Sequence, residues 1–250
     1  MDVIFILIIG SIIGSFLNVC ICRIPRNESI AYPPSHCTNC GMRIKWYDLL
    51  PVVSFINLRG RCRNCESKIS IRYPLIEILT GAIFVSLYIK YGFTIDFFKY
   101  VLLSVFLIVI SFIDLDTTNV YLKTTLPGIV IGVVFVIIEY LNGNSPTQFI
   151  YGAIILWGVL AIIALTTHSM GWGDAEICLM CGIFLGTKLS IVMLILSFVL
   201  GGIVGGMLVL FKIKSRKDMI PFGPFIGVAA IITMLFGSNI VNWYISYLIL

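Results

Sequence analysis

Charge is what this chain has least of. Only 12% of its 250 residues are Asp, Glu, Lys or Arg, against 59% hydrophobic, whereas a soluble domain is about one quarter charged. A water-soluble globule is excluded, and an integral membrane protein is expected. Histidine is scarce as well: the chain has only His36 and His168. Ser15 and Ser169 therefore lack the histidine–acid company in sequence reach that a serine nucleophile needs. No glycine-rich nucleotide fingerprint opens a strand–helix unit, and no internal repeat is visible. A basic leader is also missing: Met1-Asp2 has an acid where a signal peptide begins with positive charge, so the first apolar run is expected to stay as an uncleaved helix.

What is abundant is apolar sequence, in runs near the ~20 residues that cross a bilayer as a helix. Spans are predicted near 3–22, 75–92, 97–114, 126–142, 148–166, 174–187, 189–211 and 221–238. The sixth is short, so the count is eight to within one. The tail from Asn239 to Leu250 is too short to cross unaided; it extends the last span or lies at the interface. The predicted fold class is an all-α membrane protein, a polytopic bundle of about eight transmembrane helices with a zinc-ribbon-like loop. Three regions follow: a first helix at 1–22, a four-cysteine loop at 23–74, and a membrane bundle at 75–250.

The net charge of +5 is unevenly spread. Nine of the seventeen Lys and Arg lie from Arg23 to Arg72, with only three acids, Glu28, Asp48 and Glu66. A second basic cluster is Lys212, Lys214, Arg216 and Lys217. Basic loops stay in the cytoplasm. Eight spans would put both clusters on that side, with the amino terminus outside, and would bring the ends bearing Asp114 and Asp174 to the same face. Orientation accounts for the charge, so nucleic acid is not an expected partner; anionic membrane lipids are.

Cys37-Thr38-Asn39-Cys40 and Cys62-Arg63-Asn64-Cys65 have the spacing of a four-thiolate zinc ribbon. Each knuckle lets two sulfurs hold one tetrahedral ion, and the loop is too poor in apolar residues to fold on a core of its own. Four thiolates leave no open coordination position, so the zinc is expected to be structural. Two disulfides, disfavoured in a reducing cytoplasm, or spare thiols are the competing readings. His36 is expected to be an ordinary exposed histidine, and His168 a loop histidine. Cys178 and Cys181, one turn apart, are expected to pack as small apolar residues; Cys20 and Cys22 receive no role.

Two aspartates stand out against this background. Asp114 closes the apolar run from Tyr100 to Ile113, and Asp174 ends Gly171-Trp172-Gly173-Asp174 between two further runs. A carboxylate at a membrane-embedded helix end is costly and ordinarily faces a polar cavity with a task. Two of them suit an acid–base pair that activates water. Gly171 and Gly173 would let the backbone approach an extended peptide, because neither carries a Cβ. Asp116, two residues beyond Asp114, is a rival for the first position, and a water-facing helix-end acid is the plain alternative for either.

The cysteine loop, Asp114 and the Gly171–Asp174 motif, in that order, resemble the type IV prepilin peptidases, intramembrane aspartyl proteases with a Gly-x-Gly-Asp motif. The likeness runs nearly end to end. Gly14-Ser15-Phe16-Leu17-Asn18-Val19 with Arg23-Ile24-Pro25 is similar to the family's opening signature, and Ile71 to Glu77 to the stretch after the loop. Phe112-Ile113-Asp114-Leu115-Asp116 leading to Leu126-Pro127-Gly128 is similar to the first aspartate region, and Ile220-Pro221-Phe222-Gly223-Pro224-Phe225 to a late element. The resemblance implies catalytic Asp114 and Asp174, prepilin or pseudopilin precursors as substrates, and cleavage after a glycine at the cytoplasmic face of the cell membrane. It further implies, for members with such a loop, methylation of the new amino terminus from S-adenosylmethionine, with Asn18, Arg23 and Glu77 on matching stretches as candidates to orient the cofactor or the amine. Two departures stand: Val120-Tyr121-Leu122 replaces the usual Ile-Pro-Asp, and Glu176 replaces a basic residue. Competing functions are a transporter or channel using the two acids as ion ligands, and a non-catalytic assembly protein of the same fold.

Overall fold

Long apolar stretches leave backbone amides with no water to bond, so they close their hydrogen bonds within themselves as helices. The computed structural model describes residues 1–167, 170–215 and 218–248. His168, Ser169, Arg216 and Lys217 lie outside the described residues. The helices are α1 (Asp2–Arg23), α2 (Val53–Asn57), α3 (Arg72–Tyr91), α4 (Ile95–Thr117), α5 (Leu122–Leu141), α6 (Thr147–Thr167), α7 (Trp172–Leu210) and α8 (Gly223–Leu248). A 3-10 turn covers Trp46–Leu49, and no strand forms among the described residues. All but α2 are long and apolar enough to cross a membrane. As far as Leu248 the apolar tail continues α8.

The chain divides into two compact units, Met1–Phe97 and Phe98–Leu250. In the first, α1 and α3 run antiparallel, with Tyr88 donating to Asp2 at one end. Gly10 and Gly14, four residues apart, form a small-residue seam that lets the backbones touch. A Cβ on Gly10 would meet the Gly81 Cα at 2.8 Å, and one on Gly14 the Glu77 Cα at 2.8 Å.

In the second unit, α7 is the longest helix. Its 39 residues would span about 58 Å if straight, nearly twice the hydrocarbon thickness. It is not straight. Gly186 has φ 72° and ψ 172°, a conformation essentially reserved for glycine. Before it, Gly128 and Gly132 of α5 pack on Met180, Ile183 and Phe184. Just after it, Thr187 donates to the Gln148 carbonyl at the start of α6 (2.7 Å). Farther on, Gly201 lies against Phe222 and Phe225, and Gly237 against Leu189. Asp174 and Gly201 both lie near the start of α8, although a straight helix would separate them by about 40 Å. The chain therefore reverses at Gly186, and α7 contributes two crossings. These are the sixth and seventh spans that the sequence predicts, joined by one residue instead of a loop.

At the Gly186 end of this unit, the buried Lys99 of α4 pairs with Glu139 of α5 at 3.6 Å. Asn144 also donates to Glu139 (2.7 Å), and the Lys99 ammonium lies over the Phe149 ring of α6. A charge at this depth is tolerated because it is paired and hydrogen-bonded.

Candidate active site and metal centre

At the opposite end of the second unit, three helix termini converge. Helix α4 ends just past Asp114, α7 begins just before Asp174, and α8 begins at Gly223. Asp114 is 4% and Asp174 8% exposed, while Asp116 is exposed. Helical spacing turns Asp114 inward and Asp116 to water, which separates the two rivals by environment. The two buried carboxylates are close enough for the charge on Asp114 to act on Asp174. Each also faces backbone amides at a helix N-terminus, where the macrodipole favours negative charge. Gly171 offers its amide to the Asp174 carboxyl. The Gly223 amide donates to Asp114 Oδ2 at 2.9 Å. Gly223 carries no chemical signal in the sequence. Its importance is spatial, since a Cβ there would stand 2.8 Å from the same Oδ2.

The glycine motif is shaped by what packs on it. Gly173 faces the Val120 side chain so closely that a Cβ could not be accommodated, while Gly171 is exposed. The two departures from the family pattern thus have local accounts. Val120 fills the space above Gly173, and Tyr121 is the N-cap residue of α5, its carbonyl accepting from the Thr124 amide (2.8 Å). Glu176 turns toward α5, where Thr125 Oγ1 donates to it at 2.9 Å.

In the first unit, Cys37, Cys40, Cys62 and Cys65 bring their four sulfurs within 4.8 Å of one another, and Cys37 and Cys65 are 3.8 Å apart. A tetrahedron with Zn–S bonds near 2.3 Å has edges of about 3.8 Å, so the donor set fits zinc. The knuckles are built alike. The Cys37 amide donates to the Met42 carbonyl and the Cys62 amide to that of Ser67, both at 2.9 Å. Gly41 and Glu66 occupy matching left-handed positions. Asn39 donates to Cys65 Sγ and Asn64 to Cys40 Sγ, so each knuckle's amide side chain supports a sulfur of the other. At Cys65 the donors favour the thiolate: hydrogen bonds from Ser67 and Asn39 bring its thiol down to about 6, whereas the neighbouring sulfurs of Cys65 and Cys37 help to raise the Cys40 thiol. His36 is turned to the Pro34 carbonyl (3.0 Å) and is not part of the cluster. The disulfide alternative finds no counterpart, since all four cysteines are free thiols. Cys178 and Cys181 are wholly buried, as small packing residues should be.

Asn18, Arg23 and Glu77 are each committed to the chain itself. Asn18 donates to the Gly14 and Tyr73 carbonyls, and Arg23 to those of Ser29 (2.9 Å) and Pro33 (2.7 Å). Glu77 accepts from the Val52 amide at 2.7 Å. Asn18 thus ties α1 to α3, while Arg23 and Glu77 fasten the loop to those two helices.

Two family models match the chain: the Bacterial Peptidase A24 N-terminal domain over residues 8–91 and the Type IV leader peptidase family over residues 101–206. Three relatives named "Prepilin leader peptidase/N-methyltransferase" are similar over most of their lengths. The protein from Pseudomonas putida is 31% identical, covering 93% of this chain and 90% of its own. That from Legionella pneumophila is 33% identical, covering 94% and 91%. That from Bacillus subtilis (strain 168) is 29% identical, covering 96% of each. No solved structure matches the chain significantly. With both family models matched in order and such relatives aligned almost throughout, the chain belongs to the type IV leader peptidase family.

Proposed function

We propose that this protein is an intramembrane aspartyl endopeptidase, with Asp114 and Asp174 as its catalytic pair, that removes the leader from prepilin-like precursors and methylates the amino terminus so exposed. The single observation that carries the peptidase reading is the buried acid pair held between the starts of α7 and α8. Two carboxylates in one apolar site share a proton near neutral pH. The ionised partner accepts a proton from a bound water as the hydroxide adds to the scissile carbonyl carbon. The protonated partner gives its proton to the carbonyl oxygen. The tetrahedral adduct then collapses, the C–N bond breaks, and the amine leaves with a proton returned from the pair. General acid–base help of this kind is worth roughly 10²–10⁴-fold, and positioning supplies more. Gly171, exposed beside Asp174, gives an extended substrate backbone room to approach.

The working face is proposed to be cytoplasmic. Lys212 and Lys214 follow the end of α7 that lies by the acid pair, and the cysteine loop carries its own basic excess. Zinc, held by the four thiolates, supplies folding energy to that loop and takes no part in hydrolysis. The methyltransferase half rests on the relatives' names. S-adenosylmethionine, when bound, supplies an electrophilic methyl group to an amine. Asn18 Nδ2, the Arg23 guanidinium and Glu77 Oε2 are bonded to the chain's own backbone; the carbonyl oxygen of Asn18 and the second oxygen of Glu77 would be the groups to orient the cofactor or the amine.

The test is incubation of membranes containing the protein with a prepilin-type precursor and a methyl-labelled donor. Cleavage followed by labelling of the product is expected. Absence of cleavage with a well-expressed wild type would overturn the peptidase assignment, and cleavage without label the methyltransferase one.

A further inference from the structure

The loop between α1 and α3 exposes more apolar surface than a water-facing zinc ribbon should. Trp46 is 79%, Leu49 41%, Leu50 49%, Val53 53% and Ile56 66% exposed. They fall on the 3-10 turn, on Leu50 just after it, and on α2, where Val53 and Ile56 lie three apart and share a face. Phe55 points the other way, its ring 3.1 Å from where a Cβ of Gly60 would stand, so α2 turns one side to the loop and the other outward.

Where this outward side lies relative to the bilayer is fixed by one bond. The Val52 amide, immediately before α2, donates to Glu77 Oε2 at 2.7 Å. Glu77 lies five residues into α3, whose 20 residues match the ~30 Å of the hydrocarbon core and leave little helix projecting into water. A helical side chain leans back toward its N-terminus, so the Glu77 carboxyl sits within about one turn of the start of α3. That is the depth of the lipid headgroups. The start of α2 is thereby held at the membrane surface, and its exposed side chains have lipid as their nearest apolar medium. The flanking charge is complementary to an anionic leaflet: Lys45, Arg59 and Arg61 are all exposed, while Asp48 is occupied by Arg63.

We propose that the segment Trp46–Asn57 is an interfacial membrane anchor, lying in the plane of an anionic bilayer with Trp46, Leu49, Leu50, Val53 and Ile56 among the upper acyl chains. Aromatic residues favour this depth, and short basic–apolar segments bind there through combined apolar burial and headgroup attraction. The anchor pins the zinc loop flat beside α1 and α3 instead of letting it project into water. This assignment stands apart from the peptidase and methyltransferase readings and needs neither.

The experiment uses the full chain in nanodiscs whose phosphatidylcholine is brominated high on the acyl chain, with and without phosphatidylglycerol. Trp46 emission is taken as the difference between wild type and Trp46→Phe. The expected result is blue-shifted Trp46 emission, strongly quenched by bromine, with quenching increased by phosphatidylglycerol. The double variant Val53→Asp, Ile56→Asp should lose most of the quenching while keeping one zinc per chain, which shows that the loop remains folded. If that variant loses zinc, the wild-type quenching alone decides. Water-like Trp46 emission unaffected by bromine overturns the proposal. So does quenching indifferent to anionic lipid, or a blue shift that arises only when a prepilin-type peptide is added, which would make the face a protein-binding one.

Discussion

Asp114 and Asp116 are two residues apart and chemically identical, yet only the first is buried. If the buried pair performs hydrolysis, Asp114→Asn and Asp174→Asn should each abolish precursor cleavage at normal expression, whereas Asp116→Asn should leave it largely intact. Loss with Asp116→Asn alone would reverse the assignment. Gly223 belongs to the same scale. Gly223→Ala puts a methyl group 2.8 Å from Asp114 Oδ2, so the carboxylate must shift. A misplacement near 1 Å can cost about 100-fold in rate. The expected result is a fall in kcat of that order with little change in KM, measured on precursor cleavage; an unchanged kcat would show that the Gly223 contact is incidental. The role of Asp114 and Asp174 is legible in the sequence because a carboxylate in an apolar run has few reasons to be there. The role of Gly223 is not legible, although the stretch Ile220–Phe225 resembles a family element, because its contribution is a backbone amide and an absent side chain, neither of which differs between one glycine and another.

Among the elements, the cysteine loop and the break in α7 are the most consequential. Zinc removal from the loop should leave it open to proteolysis between Arg23 and Arg72. Cys62→Ser should abolish zinc binding, read as the metal-to-protein ratio. The pH dependence has a definite sign. The Cys65 thiol lies at about 6 against an ordinary value of 9.0. Its contribution is therefore fully present above about pH 9 and lost as the pH falls through about 6. Competition with a fixed chelator should strip zinc increasingly once the pH falls to about 6 and below, where protons compete for that thiolate; easier stripping at high pH would contradict this. For α7, Gly186→Ala forces a Cβ into a backbone region that costs about 1–3 kcal/mol, although the neighbouring Phe149 ring leaves ordinary space for the methyl itself. Thermal unfolding in detergent should shift down accordingly. Hydropathy alone finds both halves of α7, because each is apolar. It cannot distinguish one broken element from two spans joined by a loop, because the join is a single φ angle.

For the whole molecule, the crossings within the second unit make a sidedness prediction. The α5–α6 turn around Asn144 and the segment around Ser215 should lie on opposite sides of the membrane, with Ser215 cytoplasmic. A reporter enzyme active only outside the cytoplasm should be active when fused at Asn144 and silent at Ser215. The reverse pattern would invert the orientation, and equal activity would deny the reversal at Gly186.

Composition, run length and cysteine spacing by themselves determined that this is a helical membrane protein with about eight crossings, a four-thiolate loop and two exceptional acids. Those features are local or additive along the chain, and lipid admits few other solutions for such runs. Only the tertiary structure decided which acid of the Asp114–Asp116 pair turns inward, that Gly223 holds it, that Glu176 turns to Thr125, and that α7 doubles back at one glycine. It also showed that Asn18 ties α1 to α3, and that Arg23 and Glu77 tie the loop to those helices. Each of these outcomes depends on which residues distant in sequence come within hydrogen-bond reach, and no local pattern encodes that.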